Sequence, residues 1–583
     1  MHPPLPLSPS ALAVLDSRYL ARDSTGRVAE SPEGLLRRVA RAAAAPEARY
    51  GADPKKAEDS FFRLLSALEF LPNSPALRNA GTQGGQLAAC FVLPVEGSVS
   101  GVFDALRWAA LVQTSGGGTG FDFSALGPAG TPLAGGTHEP GPVAFLDLFH
   151  RATDVLRPLS MRHGANMGVL RVDHPDVETF IRAKDEAGRL TNFNLSVAFT
   201  DEFMAALAAG DRRFALRHPD GGPPARIVDP RALFDLFVAS AWATGEPGAL
   251  FIDRIDASNP TPRLGRIRAT NPCSEQPLLP FEACVLGSLD VSKFLRPGGD
   301  GLDRPRLREA VATAVRFLDD LVDASRFPVP QIAEMTRANR KVGLGVMGFA
   351  DLLIALGIPY DSPAAVETAE VLMSLVDGAA LEASAELARV RGPFANFPGS
   401  RWERLGLPPM RNAALTTIAP TGTLAILAGC SAGIEPVYAY AVTRRVLEGR
   451  ELREVHPAIG ALLSRHGLAP GPLLRAVART GRVRGTPGIP EAVARLLPTA
   501  FDVAPEWHVR IQAAFQRHVH SAVSKTINFP ASATRGDIAR AFLLAWDEGC
   551  KGLTVYRDGS RAAQVLTAGS PQDVEAPACE CPR

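Results

Sequence analysis

From about residue 70 to residue 560, short apolar runs alternate with stretches of helical periodicity, and this alternation constrains the fold more than any other feature of the chain. Asn192 to Phe199 and Ala414 to Ala419 read as strands. Asp201 to Ala209, and the spacing of Leu307, Val311, Ala314, Leu318 and Leu321, read as helices. Strands and helices in turn imply an α/β architecture on a largely parallel sheet, because parallel neighbours need a long crossover that a helix supplies. At 583 residues the pattern spans either several domains or one unusually large barrel with appendages. No fixed-period repeat occurs.

The flanks differ from this middle. Ser31, Pro32 and Glu33 supply an N-cap, a first-turn proline and an acidic first turn, and Leu35, Leu36, Val39 and Ala43 follow at helical spacing. By pattern alone the first sixty or so residues are a packing appendage. After Arg561 the periodicity fades into TAGSPQDVEAPACECPR, which reads as a mobile terminus. The expected division is a helical segment over 1–65, a main α/β domain over 66–562 and a flexible tail over 563–583.

Charge and cysteine content exclude several classes. Lysines and arginines number 62 against 61 aspartates and glutamates, so a net charge of +1 gives no general reason to bind nucleic acid. No apolar run is long enough to cross a bilayer, and MHPPLPLSPS lacks a basic region followed by an apolar one; the expected location is the cytoplasm. Seven cysteines are too few, and odd in number, for a disulfide framework, so those that matter act as thiols.

Asn271-Pro272-Cys273-Ser274-Glu275 is the most informative stretch. Pro272 pushes Asn271 toward an extended conformation, so Asn271, Cys273 and Glu275 are expected to project to one side. An amide that orients a hydroxyl, a carboxylate that takes its proton and a thiol that serves as nucleophile or radical carrier then share one space. Alone, such a cysteine is more often a small core residue than a catalyst. Ile418 to Thr423 is an apolar run followed by a Gly-containing, hydroxyl-rich turn and a helical run, which suits an anion site or simply an ordinary capped helix start. Ser115 to Phe123 is glycine-rich but lacks the lysine of a P-loop, and fails as a stand-alone phosphate motif.

Taken together, these segments resemble ribonucleotide reductases. NPCSEQPLLPFEACVLGS is similar to the family's NPCGEQPL…E-x-C-x-LGS, GGQLAACFVLPVEGS to the segment with its other reducing cysteine, FLPNSPALRNAG to a phosphate-contacting segment, and RNAALTTIAPTGT to its phosphate-binding turn. SGGGTGFDFS is similar to a segment lying close to the nucleotide, where glycines allow close backbone approach. Ser274 stands where Gly is usual, Ala88 and Ala425 where Ser is common, and His520 where Asp is frequent. Around Arg162 and His163 the chain reads PLSMRHGANM, without the basic residues common in the family's effector-responsive loop.

Six tyrosines include no adjacent pair to relay a partner's radical, and no glycyl-radical segment is found. HVHSAVSKTINFP and GCKGLTVYRDGSR resemble the adenosylcobalamin-dependent class II enzymes. That resemblance implies a ten-stranded α/β barrel of two five-stranded halves, with Cys273 on a loop through its centre and shielded by burial. It implies a thiyl radical on Cys273 with adenosylcobalamin as cofactor, Glu275 as base, Asn271 orienting the sugar, and Cys90 and Cys284 as the reducing pair. Cys579 and Cys581 of the tail would renew that pair with thioredoxin or glutaredoxin, while Cys430 and Cys550 would only pack. Substrate contacts would come from Ser74, Ala89, Gly117, Gly118, Pro420, Thr421, Gly422 and Thr423, and no metal is expected to be held by side chains. Ribonucleoside diphosphates are the implied substrates, dNTP and ATP the effectors, and a homodimer the assembly. Because the chain opens on the helical appendage, no general shut-off by dATP is expected.

Overall fold

The computed structural model describes residues 5–133, 135–159, 164–445, 451–560 and 566–568. Helices begin where the sequence places caps and first-turn prolines: Ser8 precedes Pro9–Arg18, Ser31 precedes Pro32–Ala44 and Asp53 precedes Pro54–Ser66, each side chain accepting a backbone N–H of the first turn. Leu35, Leu36, Val39 and Ala43 are buried, as the periodicity predicts. A buried ion network ties this region to the barrel: Glu47 accepts from Arg316 at 2.5 Å and from Arg391 at 2.6 Å, and Arg391 also reaches Asp319 and Asp320.

Five strands run parallel in chain order: β1 (Cys90–Val92), β2 (Gly118–Asp122), β3 (Asn166–Arg171), β4 (Phe193–Phe199) and β5 (Gly248–Phe251). A second parallel set starts with β6 (Ala283–Asp290) and β7 (Val342–Met347), and ends with β8 (Thr526–Phe529) and β9 (Gly552–Arg557). Residues 414–418 fill the gap between β7 and β8 through isolated parallel bridges, Leu344 to Thr416 and Ile418 to Val523. The two sets meet antiparallel at both edges, β6 on β1 and β9 on β5, which closes a ten-stranded ring. A short strand, Phe70–Pro72, adds antiparallel to the outer end of β6. Strands covered on both faces have no polar alternation, and accordingly β6 and β7 are buried throughout.

Phenylalanines and aliphatics between the strands and the outer helices form the large core, while a second, smaller cluster lies inside the ring around Val92, Met167, Leu250 and Leu278. Among the described residues no helix is long and apolar enough to cross a membrane. One expectation for the tail is corrected: Leu566–Ala568 forms a strand antiparallel to Ala441–Arg445. The hairpin of Ala441–Arg445 with Glu451–Val455 leaves an edge whose N–H and C=O groups a β-prone run can pair.

Candidate active site

Inside the ring a finger loop is built from one antiparallel pair, Ala269–Thr270 with Pro277–Leu278. Its tip closes on itself: the Asn271 N–H donates to the Gln276 carbonyl (3.2 Å), the Gln276 N–H to Asn271 Oδ1 (2.9 Å) and the Ser274 N–H to the Asn271 carbonyl (3.0 Å). Both half-barrels hold the tip. Asn194 Nδ2 on β4 donates to the Pro272 carbonyl at 2.8 Å, and the Glu275 carbonyl accepts from Thr417 Oγ1 (2.8 Å) and the Ala522 N–H (2.9 Å). Asn194 was not singled out in the sequence; its signal is an amide side chain in a strand whose other residues, Ser196 apart, are apolar.

The tip is a turn and not an extended run, which corrects the expectation that Asn271, Cys273 and Glu275 share one side. Ser274 has φ 66°, the left-handed conformation that favours glycine. The turn buries Asn271 and Glu275 but exposes Cys273, so the thiol is presented to a cavity and is not shielded by burial. Asn271 Nδ2 donates to Cys90 Sγ at 3.1 Å, and the Cys90 thiol lies 3.8 Å from Glu275 Oε1. Cys284 on β6 is the register partner of Cys90 on β1. Directly opposed residues of an antiparallel pair have Cα atoms about 4.5–5.5 Å apart, within the span a disulfide bridges. Burial pushes the Cys284 thiol well above its ordinary value, Glu282 and Glu275 add to that, and Lys341 opposes it.

Cys273 opens into a cavity of about 990 Å³ between the halves. One wall carries Asn194, Ser196, Ser524, Thr526 and Tyr556; Pro420, Ala425 and Ile426 make an apolar side. Of the expected substrate contacts, Pro420 and Gly422 line it, whereas Ser74, Ala89, Gly117, Gly118, Thr421 and Thr423 do not. Thr421 (φ 51°) starts the helix Gly422–Ala428, its hydroxyl accepting the Gly433 N–H at 2.7 Å. The glycines expected to approach substrate are also closely approached by the protein itself. A Cβ at Gly117 would meet Phe91 and Val112, one at Gly118 would meet Pro272, and one at Gly120 would lie 1.8 Å from the Thr270 carbonyl oxygen.

The N-terminal segment is more than an appendage. Ser8, Pro9 and Ser10 line the cavity, Arg18 Nη1 donates to Thr423 Oγ1 (3.4 Å), and Tyr19 pairs its hydroxyl with Ser74 (2.8 Å). No local sequence signal couples Arg18 to Thr423. Cys430, expected only to pack, also lines the cavity; Cys550 is fully buried. His520 lies at the opposite mouth, 3.0 Å from Asp377 and with its ring tilted against that of Trp402. Arg162, His163, Cys579 and Cys581 lie outside the described residues.

A closed ten-stranded ring with a thiol-tipped finger defines a class, and the family comparison agrees: the ribonucleotide reductase barrel domain matches residues 88–556 and the ribonucleotide reductase all-alpha domain matches residues 5–85. The chain belongs to the ribonucleotide reductase family. Within it, the chain is 48% identical over 579 residues to the vitamin B12-dependent ribonucleoside-diphosphate reductase of Mycobacterium tuberculosis (strain CDC 1551 / Oshkosh), covering 98% of this chain and 82% of that one. The protein of the same name from Thermoplasma acidophilum is 43% identical over 625 residues, covering 97% and 81%. The alpha subunit of the Actinobacillus ureae class Id ribonucleotide reductase shares the fold, with a TM-score of 0.77, 21% identity, and coverage of 95% of this chain and 97% of that one.

Proposed function

We propose that this chain reduces ribonucleoside diphosphates to 2′-deoxyribonucleoside diphosphates by thiyl-radical chemistry, with adenosylcobalamin as cofactor. The observation that carries the reading is the placement of Cys273 on the cavity surface, at the tip of a turn that buries Asn271 and Glu275 against Cys90, the register partner of Cys284. Cys273 is exposed on a cavity of about 990 Å³, a volume that suits a nucleotide, so its thiol is open to a substrate and to the cofactor that generates the radical. When bound, the cofactor supplies the radical equivalent that converts the Cys273 thiol to a thiyl.

The residues then divide the work. Cys273 takes the 3′ hydrogen of the ribose and later returns one. Glu275 accepts the 3′-hydroxyl proton, and Asn271 orients the sugar. The 2′-hydroxyl leaves as water, with Cys90 and Cys284 giving up two protons and two electrons to form one disulfide, so the sum is substrate plus two thiols to deoxynucleotide, disulfide and water. Phosphates sit at the turn Pro420 to Thr423, assisted by Ser74 and the backbone at Ala89, Gly117 and Gly118. Cys579 and Cys581 pass reducing equivalents from thioredoxin or glutaredoxin. Deoxynucleotides and ATP act as effectors, and two copies form a homodimer.

Cys273→Ser tests the centre of this reading. Turnover should vanish while nucleoside diphosphate affinity, read by calorimetry, stays within about three-fold, because the thiol abstracts hydrogen and does not bind phosphate. Turnover near wild type in this variant would sink the mechanism.

A further inference from the structure

A second cavity, of about 320 Å³, lies at the opposite mouth of the barrel, where the finger enters and where Ile267 and Pro277 of its root form part of the wall. Its lining holds four cations, Lys341, Arg401, Arg517 and Lys551, against one carboxylate, Asp377. Most of these are compensated. Lys341 pairs with Glu282 at 2.5 Å, Arg517 with Glu370 and Glu548, and Asp377 with His520.

Lys551 and Arg401 are the exceptions. Lys551 is 6% exposed, and its Nζ donates to the carbonyls of His520 (2.7 Å) and Ser521 (2.5 Å). Among the described residues no carboxylate lies within ion-pair distance of it, and the guanidinium of Arg401 has neither a hydrogen bond nor an ion pair. Buried cations are ordinarily paired, and two that share one cavity disfavour each other. Burial, with Arg401 adding, pushes the Lys551 ammonium down to about 7.

We propose that this cavity is a binding site for a small oxyanion of the phosphate class, held between Lys551 and Arg401. An anion there supplies the charge that the wall lacks, and charge-assisted donors from both side chains meet its oxygens. The site adjoins the finger, because the Ser521 hydroxyl bonds to Gln276 Oε1 (3.3 Å) and the Cys284 thiol lies 3.5 Å from the Lys341 carbonyl. It is separate from the phosphate turn at Pro420, which faces the other mouth.

Trp402 lies on this wall, its ring centroid 4.8 Å from that of His520, and reports occupancy by its emission. Inorganic phosphate, pyrophosphate and a nucleoside triphosphate are titrated separately into the full chain in phosphate-free buffer, with Trp402→Phe as the blank that removes the local signal. At least one should give a saturable change that is lost in Trp402→Phe, and the tightest of the three identifies the source. Arg401→Gln and Lys551→Gln should each weaken that binding by about ten-fold or more, and Arg401→Lys by about three-fold or less. Lys551→Gln alters a buried position, so if it fails to fold, Arg401→Gln at its half-buried position carries the test. No saturable Trp402 signal with any of the three anions, or an Arg401→Gln affinity equal to wild type, overturns the proposal.

Discussion

Gly120→Ala tests whether the ring and the finger are built to touch. A Cβ at Gly120 would lie 1.8 Å from the Thr270 carbonyl oxygen, 2.8 Å from the Thr270 carbonyl carbon and 3.5 Å from Asn271 Cα. Ordinary non-bonded contact begins near roughly 3.5 Å, so the finger must retreat by about 1.5 Å. It cannot swing freely, since Asn194 holds one side of the tip and Thr417 and Ala522 hold the other. Displacing a reacting group by about 1 Å can cost on the order of 100-fold in rate, so deoxynucleotide formation should fall by at least about 100-fold. Overpacking should cost about 1–3 kcal/mol of stability, a loss that leaves the fold intact in a chain of this size. Gly118→Ala is the graded control: its Cβ would press on the Pro272 ring, at 3.0 and 3.3 Å, with the Ala89 carbonyl oxygen at 3.6 Å, and activity should stay within about ten-fold. The assay is deoxynucleotide formation with a small dithiol as reductant, run beside urea melts of each variant. A cooperatively melting Gly120→Ala enzyme with activity within about three-fold of wild type would refute the reasoning.

Three further outcomes follow from other positions. Ser274→Gly should raise the unfolding free energy, read from urea melts, by up to about 1 kcal/mol, because glycine adopts φ 66° without a Cβ penalty; a lowered value would show that the serine side chain compensates the strain. The double variant Cys579→Ser, Cys581→Ser should keep turnover supported by dithiothreitol and lose turnover supported by thioredoxin, and equal support by both reductants would remove the tail from the cycle. Lys551 has a folded value of about 7 against 10.5 in the ordinary state, so between those values the unfolded chain holds the extra proton and stability rises with pH. Urea midpoints from pH 7 to pH 9 should therefore climb less steeply in Lys551→Met than in wild type, and identical slopes would count against an uncompensated charge there.

Much of the barrel was legible because buried parallel strands and their crossover helices leave a strong period in the sequence. Asp201 to Ala209 is a helix with the bounds its pattern implies, and Asn192 to Phe199 differs from its strand by one residue. Ala414 to Ala419 reads as a strand, but this stretch joins its neighbours only through bridges at Thr416 and Ile418, because pairing depends on partners elsewhere in the chain. The site was legible by residue and not by geometry. Proline at 272 favours an extended neighbour, yet the backbone at Ser274 turns back, since the finger pays its own hydrogen bonds through Asn271 and Gln276. The glycines of residues 116–120 signalled close approach: the finger meets Gly118 and Gly120, while Phe91 and Val112 meet Gly117. Arg18 over Thr423 joins positions separated by most of the chain, and nothing local in either segment records it.

The placement of Cys90 and Cys284 has a mechanical side. Each belongs to a different half-barrel, and they face one another across one of the two edges where strand direction reverses. A disulfide between them would therefore be a covalent staple across that edge, closing a loop that contains the whole first half of the ring. Cross-links that close long loops add about 2–4 kcal/mol by restricting the unfolded chain. An enzyme that oxidises and re-reduces this pair at every turnover would alternate between a stapled and an unstapled barrel, so its rigidity would vary in step with its redox state.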